Sequence, residues 1–139
     1  MALEELEELL GYCLTDRDQL REALHLANGM NGDANECLAM IGTAAIRLVL
    51  VGEGYDRNQS KGQIDSTASK MAGNDYLCKQ GFLLGIDKFI VKNVAQSRVG
   101  DNVMAKTMKA IVGAVWRDSG CQIAPCANVM AALGISWPE

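Results

Sequence analysis

Apolar residues crowd one stretch of this chain above all others. From Asp33 to Gly54 it reads DANECLAMIGTAAIRLVLVGEG. Cys37, Leu38, Met40, Ile41, Ala44, Ala45, Ile46, Leu48, Val49, Leu50 and Val51 cover nearly every face of a helix rather than one stripe. A helix apolar all round is either buried in a domain or spans a membrane. A span needs roughly 20 consecutive apolar residues with few charges. Arg47 and the polar start argue against one. The pattern predicts a central buried helix with the other segments packed around it. Asp33 or Asn35 can cap its start by accepting from free backbone N–H groups. Gly52 and Gly54 can end it, because glycine takes the left-handed conformation at little cost.

Helical spacing recurs on both sides. Leu3, Leu6, Leu9 and Leu10 predict a first helix stopped by Gly11, with Glu4, Glu5, Glu7 and Glu8 on a solvated face. Thr15 and Asp18 make a capping-box-like start for a second helix carrying Leu20, Ala23, Leu24 and Leu26. His25, without a Cys or His partner nearby, reads as a surface or structural residue. Ala27 to Asp33 reads as a loop from its Asn and Gly content. After the central stretch, Asp56 to Gly62 is a polar connector and Gln63 to Met71 is helical. Asn74 caps a further helix broken at Gly81 and Gly85. Ile86 to Val94 is a short helix or an extended piece, and Gln96 to Asn102 a loop. Val103 to Asp118 is the second strong helix, and Gly113 inside it signals close helix packing. Pro125 suits the first turn of a last helix, Cys126 to Leu133.

Composition narrows the picture. At 139 residues there is room for one domain spanning 1–139, and 49% hydrophobic content excludes disorder. Two prolines and almost no alternating pattern favour an all-α chain. The net charge of −4 argues against a strong nonspecific nucleic-acid binder but leaves room for a local basic patch. Cys13, Cys37, Cys78, Cys121 and Cys126 form no C-x-x-C pair, which argues against zinc and for free thiols in a reducing compartment. The acidic N-terminus lacks a signal-peptide pattern. An intracellular protein with no membrane attachment is expected, its compartment undetermined.

The segments in their order resemble the ribonuclease III domain family. LEELLGYCLTDRDQLREAL (Leu6 to Leu24) is similar to the family opening, with its LGY turn. NECLAMIGTAAI (Asn35 to Ile46) is similar to the signature NERLEFLGDAVL, and KGQI (Lys61 to Ile64) to the EGEL turn. GNDYLCKQGFLLGIDKFI (Gly73 to Ile90) resembles the stretch NETLAEIARELGLGDYL. MAKTMKAIVGAVWRDSG (Met104 to Gly120) resembles LADALEALIGAIYLDGG. The resemblance implies an all-α ribonuclease III-like domain built around the signature helix. It also implies phosphodiester hydrolysis by magnesium held on Asp and Glu, where the metal activates water and neutralises phosphate charge.

This sequence departs from the acidic pattern. The family's five acidic positions fall on Glu36, Ala39, Thr43, Lys106 and Lys109. Glu36, Ala39 and Thr43 share one helix face at i, i+3 and i+7, and Lys106 and Lys109 share another at i, i+3. An ammonium repels a cation, with close charges interacting at about 4 kcal/mol at an effective dielectric near 20. Asp101 and Asp118 do not restore the pattern. The expectation is therefore a pseudoenzyme with no catalytic residues and no metal cofactor. Lys106 and Lys109 approach Glu36 and either fill the old site as a salt bridge or hold RNA phosphate, with Arg47 able to join them. Lys61, Lys70, Lys79, Lys88, Lys92 and Arg98 read as solvated faces.

The resemblance further implies a two-fold dimer around the signature helix, with Met40 in the place of the socket-filling aromatic and Ile41 beside it. No double-stranded-RNA-binding domain follows in the sequence. The expected role is a homodimeric RNA-binding or structural domain in RNA processing. Its partners would be double-stranded RNA held weakly, an active ribonuclease III relative, or a ribonucleoprotein particle. One rival is a divergent metal-dependent nuclease using Glu36 with Asp33 or Glu53. Another is a helical dimerisation module unrelated to RNA.

Overall fold

The apolar run after Asn35 folds as one 21-residue helix, α3 (Glu36–Asp56). The computed structural model describes residues 2–25, 35–91 and 99–138. Within them lie α1 (Ala2–Leu10), α2 (Arg17–Ala23), α4 (Lys61–Met71), α5 (Asn74–Leu83), α6 (Asp101–Asp118) and α7 (Ile123–Ala132), with a 3-10 turn over Ile86–Phe89. The sole extended pairing among the described residues is an isolated parallel bridge between His25 and Val91. The architecture is all-α. The Ala27–Asp33 loop, Asp33 as a cap and residues 96–98 of the Gln96–Asn102 loop lie outside the described residues, and Asp101 and Asn102 open α6 instead.

α3 packs more extensively on α6 than any other two elements pack on each other. Glycines at the crossing explain why. A Cβ on Gly42 would run into the backbone carbonyl of Lys109, and one on Gly113 into that of Leu38. Gly113 signals this contact in the sequence; Gly42 is its counterpart. α6 is the more buried of the two, with an unbroken run from Ala110 to Val115 inside the core. It also packs against α2, α5 and α7. The buried centre is thus α6 with one side of α3, rather than α3 alone. α3 leaves a stripe in solvent: Cys37, Met40, Ala44, Leu48, Val51 and Tyr55, spaced by three and four residues. Met40 and Tyr55 are 73% and 76% exposed.

Several boundaries differ from the sequence pattern, each for a local reason. Gly52 and Gly54 do not end α3, which runs on to Asp56. Gly54 instead seats Trp137, whose ring and the Ile64 side chain occupy the space a Cβ would take. The Trp137 indole N–H donates to the Leu50 carbonyl at 2.8 Å, strapping the chain's last turn onto α3. Asn35 is the N-cap residue but its side chain does not cap. It is 1% exposed. Its Nδ2 donates to the Ala23 carbonyl at 2.9 Å and lies 3.5 Å from Thr107 Oγ1, tying the start of α3 to α2 and α6. Asp16, not Thr15, caps α2. Ser60 and Gln63 form a full capping box on α4, which begins at Lys61. Gly81 does not break α5. It is buried where Met104 and Met108 pass, while Gly85 (φ +75°) does end the segment.

Glu7 corrects the reading of α1's acids as a solvated face. It is 3% exposed. It accepts from the Leu14 N–H at 2.9 Å and from Arg17 Nη2 at 2.7 Å. Asp118, the last residue of α6, holds the same connector from the other side. It accepts from the Tyr12 hydroxyl at 2.8 Å, the Thr15 N–H at 2.9 Å and the Asp16 N–H at 2.8 Å. Burial pushes its carboxyl up, but these three hydrogen bonds together outweigh burial and hold it below the usual carboxylate range.

Two predictions follow from this packing. Gly42→Ala meets backbone that cannot give way, so it lowers unfolding free energy by about 3 kcal/mol, the top of the overpacking range. Gly52→Ala faces open space in mid-helix and raises it by about 0.5–1 kcal/mol; urea melts of the two variants check both signs. Because the Asp118 carboxyl is depressed in the folded state, its stabilisation is present above the unfolded-state value of about 4 and is lost as pH falls through the folded value. Asp118→Asn is accordingly less stable than wild type near neutral pH, and the gap in melting temperature closes below about pH 4.

Candidate functional site

Asn35 anchors the first turn of α3 against α6, and the Gly42–Gly113 crossing holds the two backbones close. Between them the side chains open a pocket of about 260 Å³. All five of the positions singled out in the sequence line it: Glu36, Ala39 and Thr43 from α3, Lys106 and Lys109 from α6. Lys106 Nζ stands 3.6 Å from Glu36 Oε2, with both side chains close to half exposed. Thr43 Oγ1 donates back to the Ala39 carbonyl at 2.9 Å, which satisfies it within its own helix.

Lys109 is placed differently from Lys106. Its Nζ donates to Asn74 Oδ1 at 2.7 Å, a neutral partner. Burial lowers its pKa below the ordinary lysine range, and the neighbouring Lys106 charge lowers it further. Among the described residues Lys106 is compensated by a carboxylate and Lys109 is not, so the pocket carries a cation that an incoming anion would relieve. Asn74 and Asn102 complete the polar lining. Sequence reasoning assigned Asn74 to a helix cap and missed both. A neutral amide has no charge pattern to mark it, and Asn74 reaches the pocket only through the fold.

Other sequence candidates fall elsewhere. The Arg47 guanidinium turns to α4, 3.4 Å from Asp65 Oδ1 and 3.4 Å from Ser69 Oγ, outside this pocket. Glu53 is ion-paired with Arg57 at 3.0 Å near the far end of α3, so it does not join Glu36. His25 places Nδ1 2.6 Å from the Arg21 carbonyl and is structural. Met40 borders the pocket and belongs to the exposed stripe, whereas Ile41 is half-buried against the core. At the far end of the stripe, Leu48, Val51 and Tyr55 form an apolar groove with Ile123 of α7.

Among the described residues Glu36 is the one carboxylate lining the pocket, and it is paired with a lysine. Among the described residues no group of three or more His, Cys, Asp or Glu side chains could hold a metal ion. These side chains by themselves do not fit a magnesium cage.

Residues 36–120 match the family model of the Ribonuclease III domain. Ribonuclease 3 of Coxiella burnetii (strain RSA 493 / Nine Mile phase I) is 28% identical over 127 residues, covering 86% of this chain and 54% of the relative. Ribonuclease 3 of Fusobacterium nucleatum subsp. nucleatum is 29% identical over 129 residues, covering 84% and 55%. The chain thus spans about half the length of the curated relatives it matches. A solved structure of the nuclease domain of ribonuclease III from Campylobacter jejuni superposes with a TM-score of 0.85 at 20% identity, covering 99% of both chains. That structure is described by its flexibility in a region involved in dimer formation.

These matches correct two expectations. Counting carboxylates points to a non-enzyme that takes no magnesium, but the matched family and the relatives are ribonucleases, so the four substitutions do not establish a non-enzyme. The physical reason is that magnesium keeps several waters and binds through one or two carboxylates together with substrate phosphates. The side chains of a bare pocket are therefore the wrong set to count. With the family model matched over residues 36–120 and the all-α fold shared throughout, the chain belongs to the ribonuclease III domain family.

Proposed function

We propose that this chain, as one domain, works in a dimeric ribonuclease III-type endoribonuclease acting on double-stranded RNA, and that its α3–α6 pocket holds backbone phosphate. The observation that carries the reading is the uncompensated Lys109 ammonium beside Lys106 in a pocket at the family's acidic positions. Lysine binds phosphate as a point charge. Such a contact supplies affinity and register on the backbone rather than sequence readout. Glu36 orients Lys106 and, among the described residues, is the one carboxylate lining the pocket.

Dimerisation is supported by the exposed α3 stripe. Met40, Leu48, Val51 and Tyr55 together present more apolar surface than single scattered residues would. A two-fold contact lays the same stripe against itself or against the matching helix of a ribonuclease III relative. The five cysteines are free thiols, which suits an intracellular setting.

Two outcomes test the proposal. In a mobility-shift assay the purified chain retards duplex RNA at low salt, retardation weakens as salt rises, and Lys106→Glu with Lys109→Glu reduces affinity at least about tenfold. No retardation at any salt overturns the RNA reading and returns the chain to a dimerisation role. In parallel, long duplex RNA with magnesium or manganese on a denaturing gel reads cleavage directly. Bands that vanish in Glu36→Ala assign cutting to this pocket, and intact RNA assigns it to a partner domain. For the dimer, Leu48→Glu with Tyr55→Glu puts carboxylates into the stripe, and light scattering reads a monomer where wild type reads twice that mass.

A further inference from the structure

A second pocket adjoins the first. It has a volume of about 490 Å³ and lies at the α4–α5 corner, lined by Ser69, Lys70, Asn74, Asp75 and Lys79 among others. Asn74 borders both pockets and accepts from Lys109 on the first pocket's side. Ser69 on the second pocket's rim stands 3.4 Å from Arg47 Nη1. The two linings, joined at Asn74, therefore place Glu36, Lys106 and Lys109 next to Lys70 and Lys79, with Arg47 reaching Ser69 on the rim.

Charge is unevenly spread in this molecule. The whole chain has 13 lysines and arginines against 17 aspartates and glutamates. Along this line the cations are Arg47, Lys70, Lys79, Lys106 and Lys109, and the facing carboxylates are Asp65, Asp75 and Glu36. Five against three reverses the sign of the molecule as a whole. Lys70 and Lys79 are exposed, and neither is ion-paired among the described residues. A concave line of net positive charge on an otherwise acidic body focuses attraction for a polyanion. An isolated phosphate would need one pocket. Two adjoining pockets linked by a shared amide suit a ligand with repeating phosphates.

We infer that the α4–α5 pocket is a second phosphate subsite, continuous with the α3–α6 pocket, and that Lys70 and Lys79 hold a neighbouring stretch of the same RNA backbone. The inference rests on the RNA reading above and adds the course the strand takes over the surface. Lys70 and Lys79 thereby leave the class of merely solvated lysines.

The test is fluorescence polarisation of a labelled RNA duplex against wild type and three double variants, over a range of salt. Lys70→Glu with Lys79→Glu lowers affinity about tenfold or more and reduces the slope of log K against log salt by about 2, one for each lost phosphate contact. Lys106→Glu with Lys109→Glu does the same. Lys61→Glu with Lys88→Glu, at exposed lysines off the line, changes affinity far less. All the variants keep the wild-type helical spectrum. Wild-type affinity and slope in the Lys70/Lys79 variant, alongside loss in the Lys106/Lys109 variant, overturn the second subsite and leave the RNA reading standing. An equal loss in the Lys61/Lys88 variant also overturns it, since diffuse charge would then account for binding. Absence of binding by wild type overturns both.

Discussion

The backbones of α3 and α6 touch at Gly42 and Gly113, and the rest of the molecule is arranged about that contact. Any larger residue at either position would force the helices apart. The carbonyl that approaches Gly42 belongs to Lys109, so the packing constraint and the candidate site share a residue. Close approach there brings the Glu36–Ala39–Thr43 face of α3 over the Lys106–Lys109 face of α6. It also buries the run from Ala110 to Val115 in α6 and leaves one side of α3 in solvent. A helix apolar on all faces thereby has the core on one side and an exposed apolar stripe on the other, the stripe on which the proposed dimer rests.

The pocket's electrostatics follow from what the crossing brings together. Where the family pattern has carboxylates, this chain sets two ammonium groups within one small cavity and gives them a single carboxylate. Glu36 compensates Lys106, and Lys109 is left on a neutral amide in a half-buried position. A cation so placed is stabilised by an anion from outside. The corner next to the pocket carries further lysines in a concave setting, so the local field is positive on a molecule whose net charge is negative.

The sequence is most legible where periodicity and motif coincide. The long helices, their order and the five positions that meet in the pocket can all be read from Asn35–Ile46 and Met104–Gly120. The misreadings have a common cause, which is that a residue type has more than one use. Gly54 looks like a helix stop but seats Trp137; Gly81 looks like a break but lets Met104 and Met108 pass. Glu7 looks like one of several surface acids but is buried under Arg17 and the Leu14 N–H. Asn74 looks like a cap but bridges two pockets. The partners of Gly54, Gly81 and Asn74 lie far along the chain, those of Glu7 lie across a connector, and no helical periodicity marks any of them. The inference from missing acids to a non-enzyme failed for a chemical reason: a metal site shared with substrate phosphates is not written wholly in one chain's carboxylates.

A crystal structure of the chain with bound duplex RNA tests the central claim most directly. The account predicts a backbone phosphate in the α3–α6 pocket, with the Lys109 and Lys106 ammonium groups at charge-assisted hydrogen-bond distance, about 2.7–2.9 Å. RNA bound on another face, with Lys106 still on Glu36 and Lys109 still on Asn74, would contradict it.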